Sequence, residues 1–190
     1  TEINKDLAEE IKEKLLKRFK RINKAAEYYA PLLNKSESHL RGILSWICKG
    51  KTKQYKYIHK SQECAISIDY LIKIAKTLNI TKEKVEENLI SIRNFNSAIK
   101  IHNPNFPINI NPITSSLLFH YYCDGSRSNW CQSIEKHPKN RERYFQKIEK
   151  SIGKIINWNS KKYQEIYTPV IIYQILENLF NINRDNLTEI

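Results

Sequence analysis

The sequence predicts an α+β protein, with an all-helical N-terminal domain in residues 1–93 and a small C-terminal α/β module with short antiparallel strands in residues 113–190. Up to residue 93, apolar residues recur three and four positions apart, which is the period of amphipathic helices. After residue 112, helical patterns alternate with short strand-like segments. Residues 94–112 are rich in Asn and contain three prolines, so we predict a linker there.

Positive charge is concentrated in one part of the chain. The 190 residues carry a formal net charge of +12. Residues 12–60 hold 14 basic and three acidic residues, a local charge of +11. Such a concentration favours binding of a polyanion by counterion release, whatever its sequence. The same charge would also fit a solvated surface that binds nothing, or a surface that binds RNA or an acidic membrane.

Other features narrow the class of protein. No run of eighteen apolar residues is present, so we expect no membrane span. The four cysteines form no CxxC pair, and we expect free thiols, with no metal site and no cofactor. These properties fit a cytoplasmic, nucleoid-associated protein of a prokaryote.

The sequence predicts three helices at the start of the chain, of which the second and third form a helix-turn-helix. The first spans Asp6 to Lys20. The second has Ala25, Ala26 and Tyr29 on one face and is followed by a break from Pro31 to Lys35. The third is preceded by Ser36, a residue that can cap it, and its inward face consists of Leu40, Ile43, Leu44 and Ile47. Two short helices joined by a tight turn are a helix-turn-helix motif.

The outer face of the third helix predicts DNA contacts. Its side chains can bond or stack against base edges and phosphates. We expect lysines around and after the helix to contact phosphates. The candidate DNA-binding residues are Lys24, Ser36, Ser38, His39, Arg41, Ser45, Trp46, Lys49, Lys51, Lys53 and Lys56. The alternative is an ordinary helical hairpin with a solvated polar face.

Two more helices complete the predicted N-terminal domain. One begins at Ser67, and its apolar stripe consists of Ile68, Leu71, Ile72, Ala75 and Leu78. Thr81 can cap a fifth helix that we expect to continue to Ile92.

The C-terminal module begins with an apolar helix from Ser115 to Cys123. A short strand is predicted within 130–136, a helix from Asn140 to Ile152, and a hairpin between Lys154 and Tyr167. Pro169 suits the first turn of a final helix.

Residues 12–80 resemble the lambda-repressor-like helix-turn-helix class. The shared features are the central Ala pair of the second helix, the capped third helix and the later segment SIDYLIKIAKTLNI. The resemblance implies that the third helix reads duplex DNA in the major groove.

Residues 113–182 resemble a LAGLIDADG homing-endonuclease module. The resemblance rests on LLFHYYCDG at 117–125, then RERYFQKIEKSIG and IYTPVIIYQILENLF. Leu117, Asp124 and Gly125 match the signature, whereas Leu118 and Phe119 occupy positions where small residues are expected. The family implies that two signature helices each supply one Asp to a divalent metal. Asp124 is the only candidate here, so catalysis would require a homodimer and Mg²⁺.

Three functions remain open on this basis. We expect a non-catalytic, sequence-specific double-stranded DNA-binding protein, a transcriptional regulator whose C-terminal module supplies dimerisation or a second DNA contact. The first alternative is a homodimeric homing endonuclease that uses Asp124. The second is an RNA- or single-strand-binding protein in which Tyr55 and Tyr57 stack on bases.

Overall fold

The computed structural model describes residues 1–49, 66–93, 99–124, 131–134, 137–156 and 165–182. The chain divides into two compact units, an N-terminal unit of Thr1–Ser91 and a C-terminal unit of Ile92–Ile190. Helices and short antiparallel strands occur together, which confirms the predicted α+β class.

The N-terminal unit contains five helices and two short strands in its described part. In chain order they are β1 (Glu2–Ile3), α1 (Lys5–Phe19), α2 (Ile22–Leu33), α3 (Glu37–Lys49), α4 (Ile68–Thr77), α5 (Lys82–Glu87) and β2 (Leu89–Ile92). The prediction of an all-helical domain was therefore wrong in one respect, because β1 and β2 pair antiparallel, with Glu2 opposite Ser91.

The fifth helix is shorter than predicted. Thr81 caps it as expected, since its Oγ1 accepts a hydrogen bond from the backbone N–H of Lys84 at 3.2 Å. The helix ends at Glu87 instead of continuing to Ile92. The Ser91 hydroxyl donates to a Glu2 carboxylate oxygen at 2.8 Å. Pairing with residues at the start of the chain thus converts the end of the predicted helix into a strand.

The predicted inward faces of the first three helices form the core of this unit. Ala25, Ala26 and Tyr29 of α2 are almost completely buried, and so are the four apolar positions predicted for α3. The stripe of α4 is shifted slightly. Leu71, Ala75 and Leu78 are buried as expected, whereas Ile68 and Ile72 are only half-buried. Ile74, which the predicted stripe omitted, is fully buried.

Tyr29 connects three helices of the core. Its ring makes an edge contact with Phe19 of α1, with the ring centroids 5.7 Å apart. Its hydroxyl bonds to Thr77 Oγ1 of α4. Because the Thr77 hydroxyl donates its proton to the Ile74 carbonyl at 2.8 Å, Tyr29 is the donor in that bond. Burial raises the pKa of Tyr29, so the phenol stays protonated and able to donate.

The C-terminal unit alternates helices and strands. In chain order its elements are β3 (Lys100–His102), α6 (Pro112–Asp124), β4 (Cys131–Ile134), α7 (Pro138–Ser151), β5 (Lys154–Ile156), β6 (Glu165–Thr168) and α8 (Val170–Phe180). Strand β3 lies within residues 94–112, the segment predicted to be a linker.

The strand pairing in this unit differs from the prediction. Strand β5 pairs antiparallel with β3, and β6 pairs antiparallel with β4. The predicted hairpin between Lys154 and Tyr167 was therefore wrong, because its two strands have different partners. Gly153, just before β5, has a φ of 136°, and a Cβ there would lie 2.9 Å from Ile101 of β3. A glycine is required at this close approach.

Tyrosines join the helices of the C-terminal unit. The rings of Tyr121 in α6 and Tyr173 in α8 stack with centroids 3.7 Å apart. The hydroxyls of Tyr173 and Tyr144 lie 3.0 Å apart, and Thr168 donates to the Tyr144 oxygen at 3.2 Å. This buried network positions α6 against α7 and α8.

The Tyr29 hydroxyl predicts a measurable loss of stability. Tyr29→Phe removes the phenolic donor to Thr77, so we expect the N-terminal unit to lose about 1 kcal/mol in its free energy of unfolding. Amide hydrogen exchange in α2 and α4 under increasing urea measures this loss. Tyr28→Phe, which changes a 43% exposed neighbour, is the control and should change stability by less than about 0.5 kcal/mol. Equal effects of the two substitutions would contradict the assignment.

Candidate nucleic-acid interface

A three-residue turn separates α2 from α3. Helix α2 continues through Pro31 to Leu33, so the break predicted at Pro31 to Lys35 was too long. Asn34 then adopts a left-handed conformation with φ 50° and ψ 52°, which Asn tolerates better than most residues. Ser36 caps α3 as predicted, since its Oγ accepts the His39 backbone N–H at 3.3 Å. The turn holds the start of α3 at a defined position after α2.

The polar face of α3 is open to solvent. Ser38, His39 and Arg41 are exposed, and Ser45 is half-buried. At about 100° per residue, positions 38, 41 and 45 share one side of the helix. The Arg41 guanidinium makes no hydrogen bond or ion pair with any residue in the described part of the chain. Its five donors therefore remain available to a partner.

Trp46 lies at the edge of this face. It is half-buried and lines a cavity together with residues of α1. The structure thus brings together Ser38, Arg41 and Ser45, and it places Trp46 to one side of them.

Gly42 lies beside these side chains and was not among the predicted DNA contacts. A Cβ added at Gly42 would have nothing within 4 Å, so no packing contact inside the described residues requires a glycine. A glycine in the middle of a helix costs about 1 kcal/mol relative to alanine. The sequence alone could have identified Gly42 as a candidate contact position, because a glycine on the polar face of an amphipathic helix usually has a packing or functional reason.

The start of α2 is electrostatically different from the other helices of this unit. The first turns of α1, α3, α4 and α5 each contain an acidic residue, which complements the partial positive charge of a helix N-terminus. The first turn of α2 contains none, and its N-cap residue Arg21 makes no side-chain capping bond. Lys20 and Arg21 are both exposed. This end of α2 is therefore positively charged and suited to an anion.

Several basic residues of the charged region already have partners. Lys24, a predicted DNA contact, pairs with Glu27 at 2.7 Å. Lys14 pairs with Glu10 at 3.1 Å and bonds to the Asn79 carbonyl. The Arg18 guanidinium bonds to the Thr77 carbonyl and lies over the Phe19 ring. These cations already contact groups of the protein itself, so a charge count overstates how many are available to a polyanion.

Four predicted phosphate contacts cannot be placed. Lys51, Lys53 and Lys56 lie outside the described residues, as does the side chain of Lys49. Tyr55 and Tyr57, the basis of the single-strand alternative, also lie outside them.

The candidate nuclease residue lies in the C-terminal unit. Asp124 is the last residue of α6, and its side chain is outside the described set. Within the described ranges, no group of three His, Cys, Asp or Glu side chains could hold a metal ion.

No family model, curated protein or solved structure matches the chain. The two resemblances therefore rest on the sequence patterns in residues 12–80 and 113–182 alone. None of the helices in the described ranges combines the length and the apolar character that crossing a membrane requires.

The charge at the start of α2 predicts a salt-dependent contribution to DNA affinity. Arg21→Gln removes one exposed cation beside the helix N-terminus. We expect the slope of log affinity against log salt concentration to fall by about one unit, because one fewer phosphate is neutralised. Lys76→Gln, an exposed cation in the last turn of α4, is the matched control and should leave the slope unchanged. Identical slopes for both variants and the parent would contradict a phosphate contact at α2.

Proposed function

We propose that the protein is a sequence-specific double-stranded DNA-binding protein that acts as a non-catalytic transcriptional regulator. In this proposal α3 enters the major groove and its exposed face contacts base edges. The observation that carries the proposal is the composition of that face. Arg41 has a guanidinium without a partner among the described residues, and beside it Gly42 leaves the helix surface open.

The chemistry of this face suits base recognition. An arginine can donate two hydrogen bonds to the O6 and N7 acceptors of guanine. Ser38 and Ser45, on the same side of α3, can donate to or accept from base edges or phosphates. Because α3 is held by a buried apolar stripe and a capped first turn, the backbone positions that carry these side chains are fixed.

Electrostatics support a duplex partner. Lys20 and Arg21, at the N-terminal end of α2, form no ion pair within the described residues, and α2 leads through a three-residue turn into α3. A phosphate at this end would contact backbone N–H groups as well as Lys20 and Arg21. Such a contact would fix the position of α3 in the groove, while the α3 side chains supply the sequence preference.

The experiment that tests the proposal is selection of bound duplexes from a random library with the whole chain. A defined sequence motif is the expected result, and a palindromic motif would indicate a symmetric dimer. Equal affinity for all duplexes, or preference for single-stranded DNA or RNA, would reject it.

We also propose that the C-terminal unit dimerises the protein through α6. This helix carries apolar residues on all sides, a composition normally found in buried helices. Leu117, Leu118 and Tyr121 are buried within the unit, yet Phe119 is 69% exposed. We infer that a second copy of α6 covers this ring, because the LAGLIDADG resemblance pairs two such helices and a symmetric interface would use the same patch twice.

A homodimeric endonuclease is the second candidate. The order α6, β4, α7, β5, β6, α8 and the position of Asp124 at the end of α6 favour it. A dimer through α6 would bring two Asp124 residues towards each other, as the LAGLIDADG resemblance requires. The bulk of Phe119 on the exposed side argues against an approach close enough for two carboxylates to share a metal ion.

The open position at Gly42 predicts opposite effects on stability and binding. Gly42→Ala should raise the free energy of unfolding by about 0.5–1 kcal/mol, because alanine is the better helix former. It should weaken binding to the selected duplex by about tenfold, or about 1.4 kcal/mol, since the methyl group fills the space between helix and bases. Urea denaturation and fluorescence anisotropy measure the two effects.

Arg41→Ala tests base contact by the same helix and is compared with Gly42→Ala. It should weaken specific binding by roughly 1–3 kcal/mol and relax the preference at one base pair. If Gly42→Ala binds as tightly as the parent while Arg41→Ala does not, α3 contacts DNA but Gly42 is not at the point of closest approach.

The exposed ring of Phe119 predicts the state of association. Phe119→Ser should shift the monomer–dimer equilibrium towards monomer by at least about tenfold, because the ring loses its buried position in the dimer. Sedimentation equilibrium measures the shift. Ile110→Ser, which changes a 61% exposed apolar residue outside α6, is the control. A parent protein that is monomeric at all concentrations would contradict the proposal.

The non-catalytic assignment predicts no cleavage. The best-bound duplex should remain intact with Mg²⁺ or Mn²⁺, and Asp124→Asn should leave DNA affinity nearly unchanged. Gel analysis of the duplex and anisotropy test these expectations. Site-specific double-strand cleavage that Asp124→Asn abolishes would establish the endonuclease function instead.

A further inference from the structure

A cavity of about 510 Å³ lies within the N-terminal unit, between the first turns of α1 and the last turns of α3. Its volume falls in the range of small-molecule sites, roughly 300–1,000 Å³. The walls include Ile3, Ala8, Trp46, Ile47 and Ile90. Ile47 belongs to the buried core, whereas the other four are only half-buried. Their apolar surfaces are therefore available to a ligand in the cavity.

One of the two lysines that line the cavity has no partner among the residues that the structure describes. Glu9 pairs with Lys5 at 3.5 Å. Glu2 accepts a hydrogen bond from Ser91. Lys12, which also lines the cavity, makes no hydrogen bond or ion pair with the residues that the structure describes. The Ser91 hydroxyl is neutral and leaves the Glu2 carboxylate charged, so the lining carries both signs of charge. Lys12 is the cation at the edge of the apolar wall that pairs with no carboxylate among the described residues.

Cys48 also lines the cavity and does not neutralise Lys12. Burial raises the pKa of its thiol, and the Lys12 ammonium only partly opposes this effect. The thiol is therefore neutral near pH 7 and supplies no anion to Lys12. A complementary ligand would bring its own negative charge.

We propose that this cavity binds a small carboxylate with an apolar, aromatic body. The carboxylate would pair with Lys12, and the ring would lie against Trp46 and the isoleucines of the wall. Aromatic contact suits Trp46 because a half-buried indole offers a broad flat surface. The pairing suits Lys12 because a charge-assisted hydrogen bond is stronger than a neutral one. This site does not depend on the proposed DNA-binding function.

A matched pair of ligands tests the charge requirement. Indole-3-acetate and indole-3-acetamide have the same aromatic body and differ in charge. Isothermal titration of the whole chain should show saturable binding of the acid, at least about tenfold tighter than the amide. Equal affinity for the two, or no saturable binding of either at millimolar concentration, would overturn the proposal.

Three variants locate the site. Lys12→Gln should reduce the affinity for the acid to that of the amide, while Lys17→Gln, an exposed cation of the same helix outside this cavity, should leave both affinities unchanged. Ala8→Phe should weaken both ligands by filling the apolar part. Circular dichroism of each variant verifies that the unit is folded. If Ala8→Phe leaves both affinities unchanged in a folded protein, the ligands bind elsewhere and the proposal fails.

Discussion

The packing of α2 against α3 determines which side chains the N-terminal unit can present to a partner. Two adjacent alanines, Ala25 and Ala26, are buried on the core face of α2. A larger side chain at either position would overpack the core, at a cost of about 1–3 kcal/mol. The apolar stripe of α3 is buried in the core of the same unit, so overpacking there would also disturb the orientation of its polar face.

Local periodicity was sufficient to predict which faces of α2 and α3 are buried. The inward positions of α2 and α3, the cap at Ser36 and the cap at Thr81 follow from residues within one or two turns of each other. The strands were harder because their partners are distant. Pairing of Glu2 with Ser91 joins residues almost a whole unit apart, and the sequence around Leu89 fits a helix equally well. Strand β5 pairs with β3 and β6 pairs with β4, instead of with each other, and no local sequence pattern specifies these distant partners.

In the candidate site, too, features set by local sequence were predictable and features set by distant contacts were not. The exposed face of α3 was predictable because it is the complement of an apolar stripe. The availability of individual cations was not. Whether Arg18 or Lys14 is free depends on carbonyl groups at Thr77 and Asn79, which become neighbours only after folding. Charge counts along a sequence therefore identify a basic region but not the side chains within it that can reach an anion.

Strand pairing in the N-terminal unit also holds its two ends side by side. The Asn4 backbone N–H donates to the Asn88 carbonyl at 2.9 Å, next to the pairing of β1 with β2. A segment whose ends are adjacent can be inserted into a surface loop of another protein without separating the flanking chain, and it tolerates circular permutation. The N-terminal unit, Thr1–Ser91, thus has the geometry of a portable module, which could be transferred between host proteins by inserting one continuous stretch of gene.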